Sequence, residues 1–281
     1  MRPLVISSFA FVVGACLGSF AATVAYRLPR GLSLLWPGSF CPTCQKSLPW
    51  WCNIPVFSYV FLRGRCFMCQ ASIPARDFVA EVALGVAGLY LSLSFPIWDA
   101  LARLLLDSAL MAISLIDLEW RIVPDVLSLP GIVWGAFCAT FLMPEIGFRQ
   151  SILGALVGSG FLYALAKGYV LVRKREGLGL GDVKLMGMIG AYLGLPGALF
   201  TIFFGALLGS AGGIALALLT TARTEMAAEG SHGAAAQDDS ASSSVSLLTM
   251  SVPFAPFLSL AAAVYAAFQP QLVGWFLENH G

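Results

Sequence analysis

Residues 185–222, LMGMIGAYLGLPGALFTIFFGALLGSAGGIALALLTTA, contain no Asp, Glu, Lys, Arg or His. A bilayer crossing takes roughly 20 apolar residues, so this run is long enough to cross twice. LGLPG at Leu193–Gly197 offers the Gly and Pro that a tight reversal needs. Similar runs recur at Leu4–Ala25, about Val82–Trp98, about Leu101–Ile116, Ile122–Met143, Ser151–Val172 and Val245–Leu277. The whole chain of 281 residues is 58% hydrophobic and 11% charged, with a mean hydropathy of +0.83, far from the soluble balance. The expected fold is an all-α polytopic membrane protein with about eight transmembrane helices. A re-entrant piece near VPFAPF is the alternative for the last run.

The first run resembles a signal peptide, and VGAC at Val13–Cys16 resembles a lipoprotein cleavage site. The apolar stretch is nevertheless longer than the 7–15 residues of a signal core, so a retained helix is expected. Lys and Arg of short loops set orientation. Arg27, Arg30, Lys46, Arg63, Arg65 and Arg76 crowd one loop, and Arg173, Lys174, Arg175 and Lys184 another, whereas Pro144–Gln150 has only Arg149 against Glu145. Both rich loops are therefore expected in the cytoplasm and both termini outside. The segment Glu225–Ser246 is small and polar and reads as a flexible cytoplasmic loop, with His232 simply solvated. The net charge of +1 and the lack of an arginine-rich domain with interleaved aromatics argue against a nucleic-acid partner.

Cys41, Cys44, Cys66 and Cys69 form two Cys-x-x-Cys pairs, the spacing of a zinc ribbon. Two disulfides are the alternative, disfavoured by the expected cytoplasmic placement. Four protein ligands leave no open position on the ion, so zinc there would fold the segment and not do chemistry. Cys52 lacks such a partner, and Cys16 and Cys138 read as small packing residues in spans.

Ionisable groups are few in the spans, and each is informative. Asp117 ends one span in LIDLEWRIVPD, and Asp182 opens another in GLGLGDVKL; the same topology puts both at the same depth. Two close carboxylates in a poorly solvated pocket share a proton. One member can then deprotonate water while the other polarises a carbonyl, which is aspartic-type peptide hydrolysis. The alternative is a helix-end or ion-pairing role for each. Gly177, Gly179 and Gly181, with Lys184 beyond, read as a loop beside which an extended substrate runs; the Gly-Lys-Ser/Thr ending of a phosphate loop is lacking. Asp125 reads as a cap or turn, Glu119 as solvated, and Asp107 as a deeper group in need of a partner.

These pieces together resemble the bacterial prepilin peptidases. The resemblance begins with GSFAATVAYRLP at Gly18–Pro29 and runs through CPTC, WWCNIPVFSY, LRGRC, CFMC and ARDFVAE. It continues with IDLEWRIVPD, GLGLGDVKLMG and VPFAPFL, in that order. It implies a catalytic pair at Asp117 and Asp182 and a positively charged leader cleaved on the cytoplasmic side, in type IV prepilins or type II secretion pseudopilins. It further implies N-methylation of the new terminus with S-adenosylmethionine, since the cysteine-bearing loop marks the long, bifunctional type. Asn53, Arg63, Arg76 and Glu81 are the candidates to support methyl transfer, although the family's usual asparagine is replaced here by Ala22.

The domain organisation expected is a first transmembrane helix at 1–25, a zinc-knuckle segment of the methyltransferase half at 26–77, and a peptidase core at 78–222. A flexible loop at 223–246 and a C-terminal transmembrane segment at 247–281 complete it. The implied setting is the bacterial inner membrane, with lipid around the spans. A noncatalytic membrane assembly or binding protein with a structural zinc module is the competing reading. A transporter is a third, weakened by the lack of a clear inverted repeat.

Overall fold

The computed structural model describes residues 2–174, 179–229 and 253–280. Among them there is no strand, only isolated bridges Phe40–Ser47 and Arg65–Ser72. The helices are α1 (Arg2–Arg27), α2 (Phe57–Phe61), α3 (Ala75–Ser94), α4 (Ile97–Trp120), α5 (Asp125–Phe141), α6 (Gly147–Arg173), α7 (Leu180–Glu229) and α8 (Ala255–His280). Most of the polar 223–246 segment lies outside the described residues; its first part, through Glu229, continues α7.

Local sequence explains where three of these helices start. Pro74, Pro96 and Pro124 immediately precede α3, α4 and α5 with extended ψ of 128°, 150° and 127°. A proline cannot donate a hydrogen bond, a loss that matters little at a helix start. An acid then follows in each first turn, Asp77, Asp99 and Asp125, where the helix dipole favours negative charge. Consequently α3 begins at Ala75, earlier than the expected span at Val82, and brings Arg76, Asp77 and Glu81 onto a helix.

The reversal expected near LGLPG is present inside α7. Gly194 has φ 69° and ψ −174°, a conformation open to glycine and not to residues with a Cβ. A methyl group built on Gly158 of α6 would lie 3.3 Å from both Met186 Cγ and Ala198 Cβ. Twelve residues of unbroken helix would separate those two by about 18 Å. The two legs of α7 must therefore fold back on each other, with α6 in the crease. Gly154 and Gly190 let the backbones of α6 and α7 touch, since a side chain on either would strike the other's carbonyl.

Among the described residues, four helices are long and apolar enough to cross a membrane: Ile6–Arg27, Ala75–Ser94, Gly147–Val172 and Leu180–Ala215, the last being the stretch folded at Gly194. α5 is a shorter apolar helix, and α4 carries Asp99, Arg103 and Asp107 within its length. α4 is nonetheless the buried axis of the fold. Leu106, Leu110 and Ile113 share one buried core with Leu185, Ile189 and Leu193 of α7 and Leu258, Ala262 and Tyr265 of α8.

Arg103, unremarked in the sequence reading of this span, is fully buried. Its Nε donates to Asp99 Oδ1 at 2.6 Å, its Nη1 donates to the Ala266 carbonyl at 2.7 Å, and it lies over the Phe95 ring at 4.0 Å. It also supplies the charge partner that Asp107, one turn later, required. Asp107 thus belongs to a separate charged cluster, about 15 Å along α4 from Asp117.

Candidate active site

Two copies of one turn hold the cysteines together. In the first, the Cys41 N–H donates to Lys46 O, Gln45 N–H to Cys41 O, and Leu48 N–H to Ser39 O; in the second, Cys66 N–H donates to Ala71 O, Gln70 N–H to Cys66 O, and Ile73 N–H to Gly64 O. Gln45 and Gln70 both have φ 59°, a left-handed residue that closes each knuckle. The underlying repeat, CPTCQKS and CFMCQAS, went unnoticed in the sequence beyond its cysteines. All four thiol sulfurs lie within 4.8 Å of one another, and Cys41 Sγ is 3.8 Å from Cys69 Sγ. A tetrahedral ion with sulfurs at ~2.3 Å sets them about 3.8 Å apart, so the group could hold a metal.

Electrostatics point the same way. Burial pushes the Cys41 thiol up, but backbone N–H groups of Cys44 and Thr43 and the thiols of Cys66 and Cys44 outweigh it and bring it down to about 6. The Ala71 N–H favours the Cys69 thiolate, yet burial and the three neighbouring sulfurs push it up to about 11. A cation among the four sulfurs would favour the thiolate form of each. Cys52 stands apart from the four.

Asp117 lies in the last turn of α4 and is buried. Its Oδ2 accepts the N–H of Ala255 at 3.2 Å, the first residue of α8. That gives VPFAPF a physical part: it ends where a helix N-terminus, with its unpaired N–H groups and positive dipole end, meets the carboxylate. Asp182, half-buried in the first turn of α7, lies close enough to Asp117 for the two charges to interact.

The connection between α4 and α5 packs these helix ends together. A methyl group on Gly181 would lie only 2.8 Å from Val123 Cβ, so glycine is what lets α7 begin here. Gly179 flanks Asp182, its carbonyl accepting the Asp182 N–H at 3.2 Å; Gly177 lies outside the described residues. Lys184 Nζ donates to both Asp125 carboxylate oxygens at 2.7 Å, tying α7 to the start of α5.

On the other side of α4, a cavity of about 400 Å³ opens between α1, α3 and the cysteine module. Three of the four residues singled out for methyl transfer line it, Asn53, Arg76 and Glu81, as does Ala22; Arg63 is exposed and outside it. Glu81 accepts the Val56 N–H at 2.7 Å and the Ser19 hydroxyl. Val56 needs that hold, because its φ of 65° and ψ of −52° form a γ-turn, closed by Phe57 N–H to Pro55 O at 2.7 Å, that β-branched residues rarely adopt. Tyr59 stacks on Phe78 of α3 at 4.6 Å. Arg27, read as a loop charge, is buried and donates to the carbonyls of Ser33, Pro37 and Gly38 at 2.8–2.9 Å, pinning the chain that leads into the module.

Glu119 is exposed, in keeping with its reading as a solvated acid, but it also has partners. Its carboxylate bridges Arg30 Nη2 at 2.8 Å and Arg76 Nη2 at 2.7 Å, and both arginines line the cavity. No sequence signal marked this role, since the partners lie far away along the chain.

Residues 12–95 match the bacterial peptidase A24 N-terminal domain, and residues 104–214 match the type IV leader peptidase family. Similar proteins named prepilin leader peptidase/N-methyltransferase include one from Aeromonas hydrophila, 28% identical over 99% of this chain and 96% of its own length. One from Burkholderia pseudomallei is 34% identical over 74% of this chain and 75% of its own length. Another, from Klebsiella pneumoniae, is 33% identical over 68% of this chain and 87% of its own. No solved structure matches the chain. With both parts of the sequence matched, and with relatives of this identity over more than two thirds of it, the chain belongs to the type IV leader peptidase family and is a prepilin peptidase enzyme.

Proposed function

We propose that the protein is a membrane-embedded aspartic endopeptidase that uses Asp117 and Asp182, and that it then N-methylates the terminus it creates. The substrates are type IV prepilins or type II secretion pseudopilins, cut at the cytoplasmic edge of the inner membrane. Supporting this placement are the positive loops and the common depth of the two acids; about eight crossings, counting both legs of α7, put both at that edge. Residues 1–25 are the first transmembrane helix, 26–77 the zinc-knuckle segment of the methyltransferase half, 78–222 the peptidase core, and 247–281 the closing span.

The observation that carries the peptidase reading is the meeting of Asp117, Asp182 and the α8 N-terminus. The Ala255 N–H favours negative charge on Asp117, which casts it as base and Asp182 as acid. Asp117 takes a proton from water, and the water oxygen bonds to the scissile carbonyl carbon while Asp182 gives its proton to the carbonyl oxygen. As the tetrahedral centre collapses, that hydroxyl proton returns to Asp182, the C–N bond breaks, and the departing nitrogen takes the proton held on Asp117. The glycines at 179 and 181 leave backbone room beside Asp182 for an extended substrate.

For the second step, S-adenosylmethionine would supply an electrophilic methyl group to the new terminal amine, which would give up one proton to water. The cavity volume falls in the ordinary range for small-molecule sites. Asn53, Arg76 and Glu81 supply polar groups to it, and Tyr26, Tyr59 and Phe78 supply rings. Zinc at Cys41, Cys44, Cys66 and Cys69 would fold the module that forms one wall.

The direct test incubates a prepilin-like membrane substrate with the wild-type protein and with Asp117→Asn and Asp182→Asn. Each replacement keeps the side-chain shape and removes the titrating group, and should cost about 10²- to 10⁴-fold in cleavage. Near-normal cleavage by either inserted variant would refute the two-aspartate mechanism. The mass of one added methyl on the product of the wild-type protein tests the second step.

A further inference from the structure

The last turn of α4 is shared by both sites. Asp117 points to α8, whereas Leu115 lines the cavity and Glu119 holds two arginines that line it. Helix geometry requires this split: residues four apart share a face, and residues two apart point about 200° away from each other. The two sites are thus separated by the thickness of one helix, about 10–12 Å, which three or four extended residues can span. Around that end Leu118, Trp120 and Ile122 are exposed at 58%, 43% and 49%, interleaved with the exposed charges of Glu119 and Arg121. The helix stops there because Arg121 adopts a left-handed conformation, φ 55°, and no further turn blocks the way.

We propose that the amine freed at Asp117 and Asp182 passes around this last turn into the cavity without the peptide leaving the enzyme, with Glu119 as the positioning residue. The inference rests on the two-step reading above. Glu119 is suited to the part because it alone ties the peptidase helix to both rim arginines. Arg30 is otherwise held by Tyr26, donating Nη1 to Tyr26 O at 2.8 Å and stacking over the Tyr26 ring at 4.2 Å, with the Trp120 ring of α4 farther off at 5.2 Å. Without the bridge, the two rim arginines lose their ion pairs to the end of α4, and the short route loses its fixed edge although α4 stays packed on α1 and α3 through Leu115 and Ile116.

A trap experiment on the full-length protein in lipid nanodiscs tests this. A light prepilin-like substrate is cleaved in the presence of a large excess of its heavy-isotope mature peptide, already cut and unmethylated. With handover, wild type methylates the light product several-fold beyond its share of the pool. Glu119→Asp, one methylene too short to reach both guanidinium groups, should methylate light and heavy peptides in proportion to their concentrations. A second readout omits S-adenosylmethionine: the fluorescent cleaved product should leave wild type several-fold more slowly than it leaves Glu119→Asp. Proportional methylation by wild type would overturn the handover and leave the two-step reading standing. A Glu119→Asp variant with wild-type bias and release would overturn the role of Glu119. No methyl on either peptide would overturn the two-step reading itself, and the handover with it.

Discussion

Glu81 should be the latch that keeps the cysteine module against the membrane helices, and removing it should open the module measurably. Its carboxylate takes the Val56 N–H at 2.7 Å from a turn whose φ of 65° is unfavourable for valine. A hydrogen bond to a charged group contributes about 1.5–3 kcal/mol, and an outlier backbone of this kind stores about 1–3 kcal/mol that its surroundings must hold. Glu81→Ala should therefore raise the open population of the segment around residues 50–64 about 10- to 150-fold, at roughly 1.4 kcal/mol per tenfold. Glu81→Gln keeps an acceptor but not the charge and should fall between. Val56→Gly relieves the turn and should make a subsequent Glu81→Ala less damaging, a coupling expected of groups in contact. Hydrogen exchange of those amides, followed by mass spectrometry on protein in nanodiscs, reads the opening directly. Protection in Glu81→Ala within about twofold of wild type, less than ~0.5 kcal/mol, would refute the latch.

Stripping metal with a chelator should unfold residues 39–73 and abolish methylation while leader cleavage continues, because the acids sit on the far side of α4; purified, reduced protein with no bound zinc would refute the metal reading. Gly154→Leu should place a side chain against the Gly190 carbonyl and lower thermal stability in detergent by an overpacking cost of about 1–3 kcal/mol, whereas the same change at Gly160, where nothing lies within 4 Å, should cost little.

The helices, the reversal at Gly194 and the cysteine group were legible because each depends on neighbours in the sequence. Apolar runs mark helices that lipid can accommodate, Gly and Pro mark breaks, and Cys-x-x-Cys places two sulfurs on one turn. Arg103 was missed for the opposite reason. A lone arginine in an apolar run looks like noise until Asp99 and the Ala266 carbonyl are found beside it. The partners of Glu119 were likewise missed, since nothing local shows that Arg30 and Arg76 converge on it.

By itself, then, the sequence determined the class of the protein and the family it belongs to, and it marked a four-cysteine group that could hold a metal. These follow from hydropathy, from short motifs in order and from ligand spacing, all of them read along the chain. Only the tertiary structure decided that the α8 N-terminus meets Asp117, that Glu81 holds a strained turn at Val56, and that the cavity and the acids lie on opposite sides of one helix end. Those are contacts between segments far apart in the chain, fixed by how helices with small residues at their faces pack, and no local pattern encodes them.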